Sequence, residues 1–198
     1  MLQLFWLVFS YILGAIPFGL IVGKFMCGID PREDGSRNTG ATNVARLCGT
    51  RYGVFVLVLD ALKGFAPVIV ALQISDSHFY HGLILLAPIF GHMFSVFLKG
   101  GGGKGVSTTI GAFLALAPGA LLLAVLLCVA VIAYSGYVSL GSLTLAAAMP
   151  LFLLLSGEFT RCLFALVVMA LIYTKHRENI ARLARGEEKP WRKKSSAR

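Results

Sequence analysis

The stretch VSTTIGAFLALAPGALLLAVLLCVAVIA, Val106 to Ala133, decides the fold. Its 28 residues are apolar almost throughout but are interrupted by Pro118-Gly119, a pair that marks either a kink in one helix or a turn between two short ones. Five further apolar runs flank it: Leu2 to Phe25, Val54 to Ile74, Gly82 to Leu98, Val138 to Leu155 and Phe159 to Thr174. All approach the ~20 residues a helix needs to cross hydrocarbon. Charge then decides the meaning of Pro118. Of 18 basic residues, five lie between Lys24 and Arg51, two are Lys99 and Lys104, and nine lie between Lys175 and Arg198, leaving only Lys63 and Arg161. Basic loops stay in the cytoplasm. A turn at Pro118 gives seven helices and puts all three basic segments on one side, whereas a kinked single helix gives six and no orientation does so.

The expected fold is therefore all-α, a polytopic integral membrane protein of about seven short transmembrane helices with the amino terminus outside and the carboxyl terminus cytoplasmic. It reads as a single transmembrane domain over residues 1–198 with a basic cytoplasmic tail from about 175 to 198. Val106 to Ala117 has only 12 residues, short of a full span, so a half-helix lining a cavity and presenting a terminus to a ligand is expected there.

Composition agrees. The chain is 57% hydrophobic and 14% charged, against roughly 25% charged in soluble domains, and no stretch is left for a separate soluble domain. The net charge of +9 sits in loops rather than over a soluble surface, which argues against a nucleic acid partner. Cys27, Cys48, Cys128 and Cys162 lack zinc or redox spacing and read as four buried or cytoplasm-facing thiols. The first apolar run has no basic leader or small-residue cleavage site and reads as a retained helix.

The polar segments carry the chemistry. GSRNTGATN, Gly35 to Asn43, followed by Arg46, combines glycines with donors at Ser36, Asn38, Thr42 and Asn43 and a planar cationic fork suited to phosphate. GHMFSVFLKGGGGKGVSTT, Gly91 to Thr109, holds four glycines and Lys104 directly before a helix, whose first N–H groups and positive potential make an anion cradle. It is not a nucleotide P-loop, because Gly105 follows the lysine and no strand precedes it. YTKHRENIARLARGEE, Tyr173 to Glu188, places His176, Arg177 and Asn179 at the membrane surface; from Arg182 onward an ordinary basic tail beside anionic lipid suffices. In YVSLGS, Tyr137 to Ser142, Ser139 and Ser142 are three apart and would face one side, although serines at a helix start are more often caps. Asp60 and Lys63, also three apart, read as a structural ion pair within the membrane. No His-x4-Asp signature, paired carboxylates, Ser-x-Gly elbow or zinc spacing occurs, so an enzyme of this kind would use an activated substrate, with no metal and no cofactor.

Together these segments resemble the bacterial acyl-phosphate:glycerol-3-phosphate acyltransferases of the inner membrane. The likeness rests on Ser36 to Asn43 with Arg46, the Asp60–Lys63 helix, Gly91-His92 through Gly102-Gly103-Lys104-Gly105, Ser139 with Ser142, and His176-Arg177-Glu178-Asn179-Ile180 with Arg182-Leu183. The family usually has Gly or Lys where Arg37 stands, Pro where Ser95 stands, and an aromatic-basic pair where Gly100 and Gly101 stand. The resemblance implies transfer of a fatty acyl group from acyl phosphate to the 1-hydroxyl of glycerol 3-phosphate, giving lysophosphatidic acid and phosphate at the cytoplasmic face. It implies catalytic roles for Ser36, Arg46, Lys104, Ser142, His176 and Asn179, and substrate contacts from Asn38, Thr42, Asn43, His92, Gly102, Gly103, Ser139 and Arg177. Partners would be glycerol 3-phosphate, acyl phosphate, membrane lipids and a soluble phosphate acyltransferase supplying the acyl phosphate. The base would be His176 or a substrate phosphate oxygen. The alternative from another class is a membrane transporter of phosphate or organophosphate anions, and a metal-dependent phosphatidyl-alcohol transferase would need an aspartate cluster this chain lacks.

Overall fold

A computed structural model describes residues 1–191, so the end of the expected basic tail, residues 192–198, lies outside the described residues. The helices run in the order α1 (Leu2–Ala15), α2 (Phe18–Cys27), α3 (Ala41–Cys48), α4 (Thr50–Ile74), α5 (His78–Met93), a 3₁₀ turn (Val96–Leu98), α6 (Val106–Leu116), α7 (Pro118–Ser135), α8 (Val138–Leu155), α9 (Phe159–Lys175) and α10 (Arg177–Ala184), with no strand among the described residues. Five segments are long and apolar enough to cross a membrane, namely Leu2–Cys27, Thr50–Ile74, His78–Leu98, Pro118–Ser135 and Val138–Leu155. A sixth is possible if α9 and α10, bent by 63°, count as one. α6 is a shorter apolar helix, and it separates from α7 at Pro118, which starts the second helix where its missing N–H costs nothing.

Two expected runs differ in detail. Leu2 to Phe25 is broken at Ile16-Pro17, because proline cannot donate to the carbonyl one turn earlier. The run expected to start at Gly82 begins at His78, where the Ser77 hydroxyl caps it by accepting from Tyr80 N–H at 3.3 Å.

The chain forms two compact units, 1–118 and 119–198. In the first, small residues let helix backbones approach closely. A side chain at Gly111 would overlap the Ala61 carbonyl, and one at Gly64 would overlap the Thr108 carbonyl, so each of α4 and α6 receives the other's backbone. Without a hydrophobic driving force in lipid, such close approach supplies the packing energy. Gly14 and Gly91 serve α1 and α5 in the same way, against Pro88 and Tyr11. Val22, Val44 and Val56 form a buried cluster that pins the short α3 between α2 and α4. In the second unit α8 packs on α9, and Gly141 admits the Ile132 side chain of α7.

Gly111→Leu is expected to drive α6 off α4 and destabilise the protein by about 3 kcal/mol or more, as for overpacking of a tight core. Thermal unfolding in detergent measures this, and Leu123→Ala on the exposed face of α7 serves as the neutral control.

Candidate active site

Around Ser36 the first unit builds a loop held by one asparagine. Asn43 is 1% exposed. Its amide nitrogen lies 2.8 Å from the Pro31 carbonyl, 3.0 Å from that of Asn38 and 3.1 Å from that of Asp34, while its oxygen accepts the Ser36 N–H at 2.8 Å. Asn43, read from sequence as a substrate donor, is thus committed to shaping the loop. Asn38 makes a local turn by accepting the Gly40 N–H at 2.8 Å. The outcome is that the Ser36 and Arg46 side chains stay exposed and Thr42 half-buried. Arg46 points from α3, whose opposite face carries the buried Val44. At the loop's edge, hydrogen bonds from the Arg32 guanidinium, at 2.9 and 2.6 Å, hold the Asp30 carboxyl well below the usual carboxylate range.

Cys27 and Cys48 form a disulfide, Cα atoms 6.0 Å apart, which corrects the expectation of four free thiols. Their separation of 21 residues carries no recognisable spacing; packing of α2 and α3 on α4 brings the two helix ends together. Cys128 and Cys162 are free and buried.

The glycine loop is built against His92. Gly103 N–H donates to the His92 carbonyl at 3.0 Å. A side chain at Gly102 would overlap that carbonyl, and one at Gly103 would have to push the imidazole aside at Nε2. Gly105, at φ 82°, then turns the chain into α6 and leaves Lys104 half-buried at the helix entrance. Both loops lie at one end of the first unit, since a small cavity is lined by Thr39 of the first and by His92, Ser95 and Leu98 leading into the second.

Beneath them the expected Asp60–Lys63 pair is present at 2.8 Å, with both side chains 2% exposed, but it has a third member: His92 Nδ1 lies 3.5 Å from the same carboxylate oxygen. Lys63 also donates to the Ile16 carbonyl at 2.8 Å.

In the second unit the organising residue is one the sequence reading passed over. Glu188, at the end of GEE, accepts from the Ser139 hydroxyl at 2.8 Å and the Asn179 amide at 2.7 Å through one oxygen, and from Arg182 Nε at 2.7 Å through the other. Arg182 is therefore tied through Glu188 to Ser139 and Asn179. Burial works against the Glu188 charge, but the three donors and the Arg182 cation outweigh it and hold its carboxyl below the ordinary glutamate value. The only signal for Glu188 in the sequence was a carboxylate amid basic residues, which looks like charge balance. Ser139 and Ser142 are not helix caps: Ser142 donates 2.9 Å back to the Val138 carbonyl, and Ser139 points to Glu188. His176 is buried, with Nδ1 2.9 Å from the Ile172 carbonyl; a carbonyl only accepts, so Nδ1 carries the proton and Nε2 is the basic nitrogen. Arg177 is exposed.

The model of the glycerol-3-phosphate acyltransferase family matches residues 4–186. This chain belongs to that family. A glycerol-3-phosphate acyltransferase of Nitratidesulfovibrio vulgaris is 60% identical over 97% of this chain, which spans 59% of that relative, and one of Maridesulfovibrio salexigens is 53% identical over 98% of this chain and 100% of its own length. The crystal structure of PlsY, an integral membrane glycerol 3-phosphate acyltransferase in its glycerol 3-phosphate form, matches with a TM-score of 0.92 at 41% identity, covering 96% of each chain. A lysophosphatidic acid form of PlsY matches at 0.90 and 40% identity, covering 96% of this chain and 95% of its own. The acyltransferase is an integral membrane enzyme, helical throughout its regular structure among the described residues.

Glu188→Gln should destabilise the acyltransferase by about 2 kcal/mol, since hydrogen bonds to a charged group contribute roughly 1.5–3 kcal/mol each and Gln keeps part of the set. A carboxyl held below its ordinary value stabilises the fold at pH above that value, and the contribution disappears as pH falls through the lowered one. Unfolding in detergent between neutral and acid pH should show this loss in the wild type and a flatter profile in Glu188→Gln.

Proposed function

We propose that this acyltransferase moves a fatty acyl group from acyl phosphate to the 1-hydroxyl of glycerol 3-phosphate, releasing phosphate and 1-acyl-glycerol 3-phosphate, early in bacterial phospholipid synthesis. The observation that carries the reading is the pairing of family membership with a glycine turn moulded on His92, its amides and Lys104 at the entrance of α6. Such a turn suits phosphate, and both proposed substrates carry one.

In this reading Arg46, Lys104, His176, Asn179 and Arg177 take the glycerol 3-phosphate contacts that the resemblance implies for them. Ser36, the Gly102 amide and, once its hydroxyl turns from the Val138 carbonyl, Ser142 bind acyl phosphate, whereas the Gly103 amide and the Ser139 hydroxyl are spent on the His92 carbonyl and on Glu188. Asn38 and Asn43 keep the first loop in shape, and Thr42 remains a substrate contact. The hydroxyl oxygen attacks the acyl carbon and the bond to the phosphate oxygen breaks. The hydroxyl proton passes to His176 Nε2, the nitrogen left basic by the Ile172 carbonyl. No protein nucleophile is required, because the acyl group arrives activated; orientation and fixed donors lower the barrier. One transmembrane acyltransferase domain in the inner membrane, with the basic loops and this chemistry on the cytoplasmic side and a soluble enzyme supplying acyl phosphate, completes the proposal; the distribution of Lys and Arg supports it.

Purified protein should form lipid from glycerol 3-phosphate with acyl phosphate, and not with acyl-CoA or acyl carrier protein offered separately. Lys104→Ala should lower kcat/KM about 10²- to 10³-fold, the effect of removing one charge-stabilising donor. A carrier of phosphate esters would release no phosphate from acyl phosphate in detergent, and wild-type rates in Lys104→Ala would remove the second loop from the site.

A further inference from the structure

The Cys27–Cys48 disulfide has no part in the proposed chemistry, yet it closes a ring around the first loop. Ser36, Asn38, Thr42, Asn43 and Arg46 all lie inside that ring, between the two cysteines. Cys27 is the last residue of α2 and Cys48 the last of α3. Each is followed by a glycine at positive φ, Gly28 at 70° and Gly49 at 96°, where an added Cβ would meet nothing within 4 Å. Both helix ends therefore have room to move once the covalent tie is gone. The bonded cysteines are half-buried, whereas Cys128 and Cys162 are free and buried, so the bonded pair is the one a small thiol can reach.

The restraints inside the ring are unequal. The Ser36 end is held by Asn43, whose oxygen accepts the Ser36 N–H at 2.8 Å and whose amide donates to the Pro31 carbonyl at 2.8 Å. The first half of α3 is held by Val44, buried with Val22 and Val56. On its α4 side Ala45 rests against Gly53, and towards α2 the last turn, with its exposed Arg46, is fastened by Cys48. A helix of eight residues is marginal without such ties. We propose that Cys27 and Cys48 form a reversible thiol–disulfide switch that orders the last turn of α3 and so sets how firmly Arg46 is held for a phosphate ester. On the cytoplasmic side of the membrane thiols are kept reduced, and disulfides there are usually transient sensors. A low-molecular-weight disulfide of the glutathione class is attacked by one cysteine thiolate, giving a mixed disulfide and one released thiol. The second cysteine thiolate then attacks the protein sulfur of that mixed disulfide and displaces the other thiol. Two cysteine thiols are oxidised, one small disulfide is reduced to two thiols, and the two protons end on those thiols. The inference rests on the proposed function for the role of Arg46 and for the side of the membrane, but not for its geometry.

The purified full-length protein is equilibrated in detergent across a series of glutathione to glutathione-disulfide ratios, quenched with acid and labelled with a maleimide under denaturing conditions. Labelling should fall from four cysteines to two as the buffer becomes oxidising. Reduction should raise the KM for glycerol 3-phosphate about threefold to tenfold, the cost of ordering one long side chain on binding, with kcat and the KM for acyl phosphate within about twofold. Reoxidation should restore the lower KM, and the double variant Cys27→Ser with Cys48→Ser should show the higher one in every buffer. The same glycerol 3-phosphate KM in both redox states, or a rise shared equally by the two substrates, overturns the switch. So does labelling that stays at two under reduction of the folded protein, which makes the bond a fixed staple, or at four under oxidation. If the wild type transfers no acyl group, the proposed reaction fails, but the switch is still read by hydrogen exchange: amides of residues 44–48 should exchange several-fold faster after reduction while those of α6 do not change. Equal exchange over residues 44–48 in both states would overturn it.

Discussion

A lysine ammonium buried in a helix that would lie in hydrocarbon must be neutralised, and the way Lys63 is neutralised sets much of the first unit. Its side chain is 2% exposed, it pairs with Asp60 at 2.8 Å, it donates to the Ile16 carbonyl, and it lies 5.5 Å from the centre of the Phe18 ring. The Ile16 carbonyl is available because Pro17, lacking an N–H, breaks the first apolar run there. A broken helix and a buried charge, each costly alone in a membrane, therefore satisfy one another. The break also turns α2 towards the Ser36 loop, where Gly19 meets the Thr39 carbonyl, so the charge pair under the two loops and the path of the chain into the first of them have one cause.

The units reach a polar site by different means. In the first, glycines remove side chains so that backbone groups and one imidazole shape a turn, and Asn43 ties four loop segments with one amide. In the second, a carboxylate beyond α10 collects three side-chain donors, one from α8 and two from α10. The first kind of site holds its form through main-chain geometry and tolerates surface change. The second depends on the charge of Glu188 and is the more sensitive to acid.

This difference explains what could be read in the sequence. Hydropathy and the Lys/Arg distribution report where a helix can lie, so the helical runs and the division at Pro118 were legible. The glycine turn was legible because GGGGKG before an apolar helix has a local physical meaning. Contacts between distant residues have none. Glu188 meets Ser139 across 49 positions, and Cys27 meets Cys48 only once α2 and α3 have packed. His92 was visible as a polar residue beside the turn, but its alignment with Asp60, 32 residues earlier in the sequence, depends on how α4 and α5 pack. Asn43 shows the opposite error: donors in a polar loop look like ligands, yet a loop without secondary structure must satisfy its own backbone first.

The four consecutive glycines are not equivalent, and the inequality is informative. A side chain at Gly100 meets nothing within 4 Å, and one at Gly101 meets only the Leu98 carbonyl at 3.3 Å, whereas at Gly102 and Gly103 it would collide with His92. These are the positions that distinguish the chain from the family pattern it resembles, in which an aromatic and a basic residue replace the first two glycines and the last two remain. In the first pair Gly101 can vary with the surface it faces, whereas Gly100, at φ 84° after Lys99 at φ 51°, sets the entry to the turn in a backbone conformation that strains a side chain. The second pair is fixed by the imidazole it touches. Arg37, at φ 52° where the family usually has Gly or Lys, belongs with the first class: a strained backbone of about 1 kcal/mol at the rim of a loop whose interior Asn43 already holds. Sequence freedom in both loops therefore ends where the backbone meets His92 or Asn43, and those two contacts mark the boundary between surface and site.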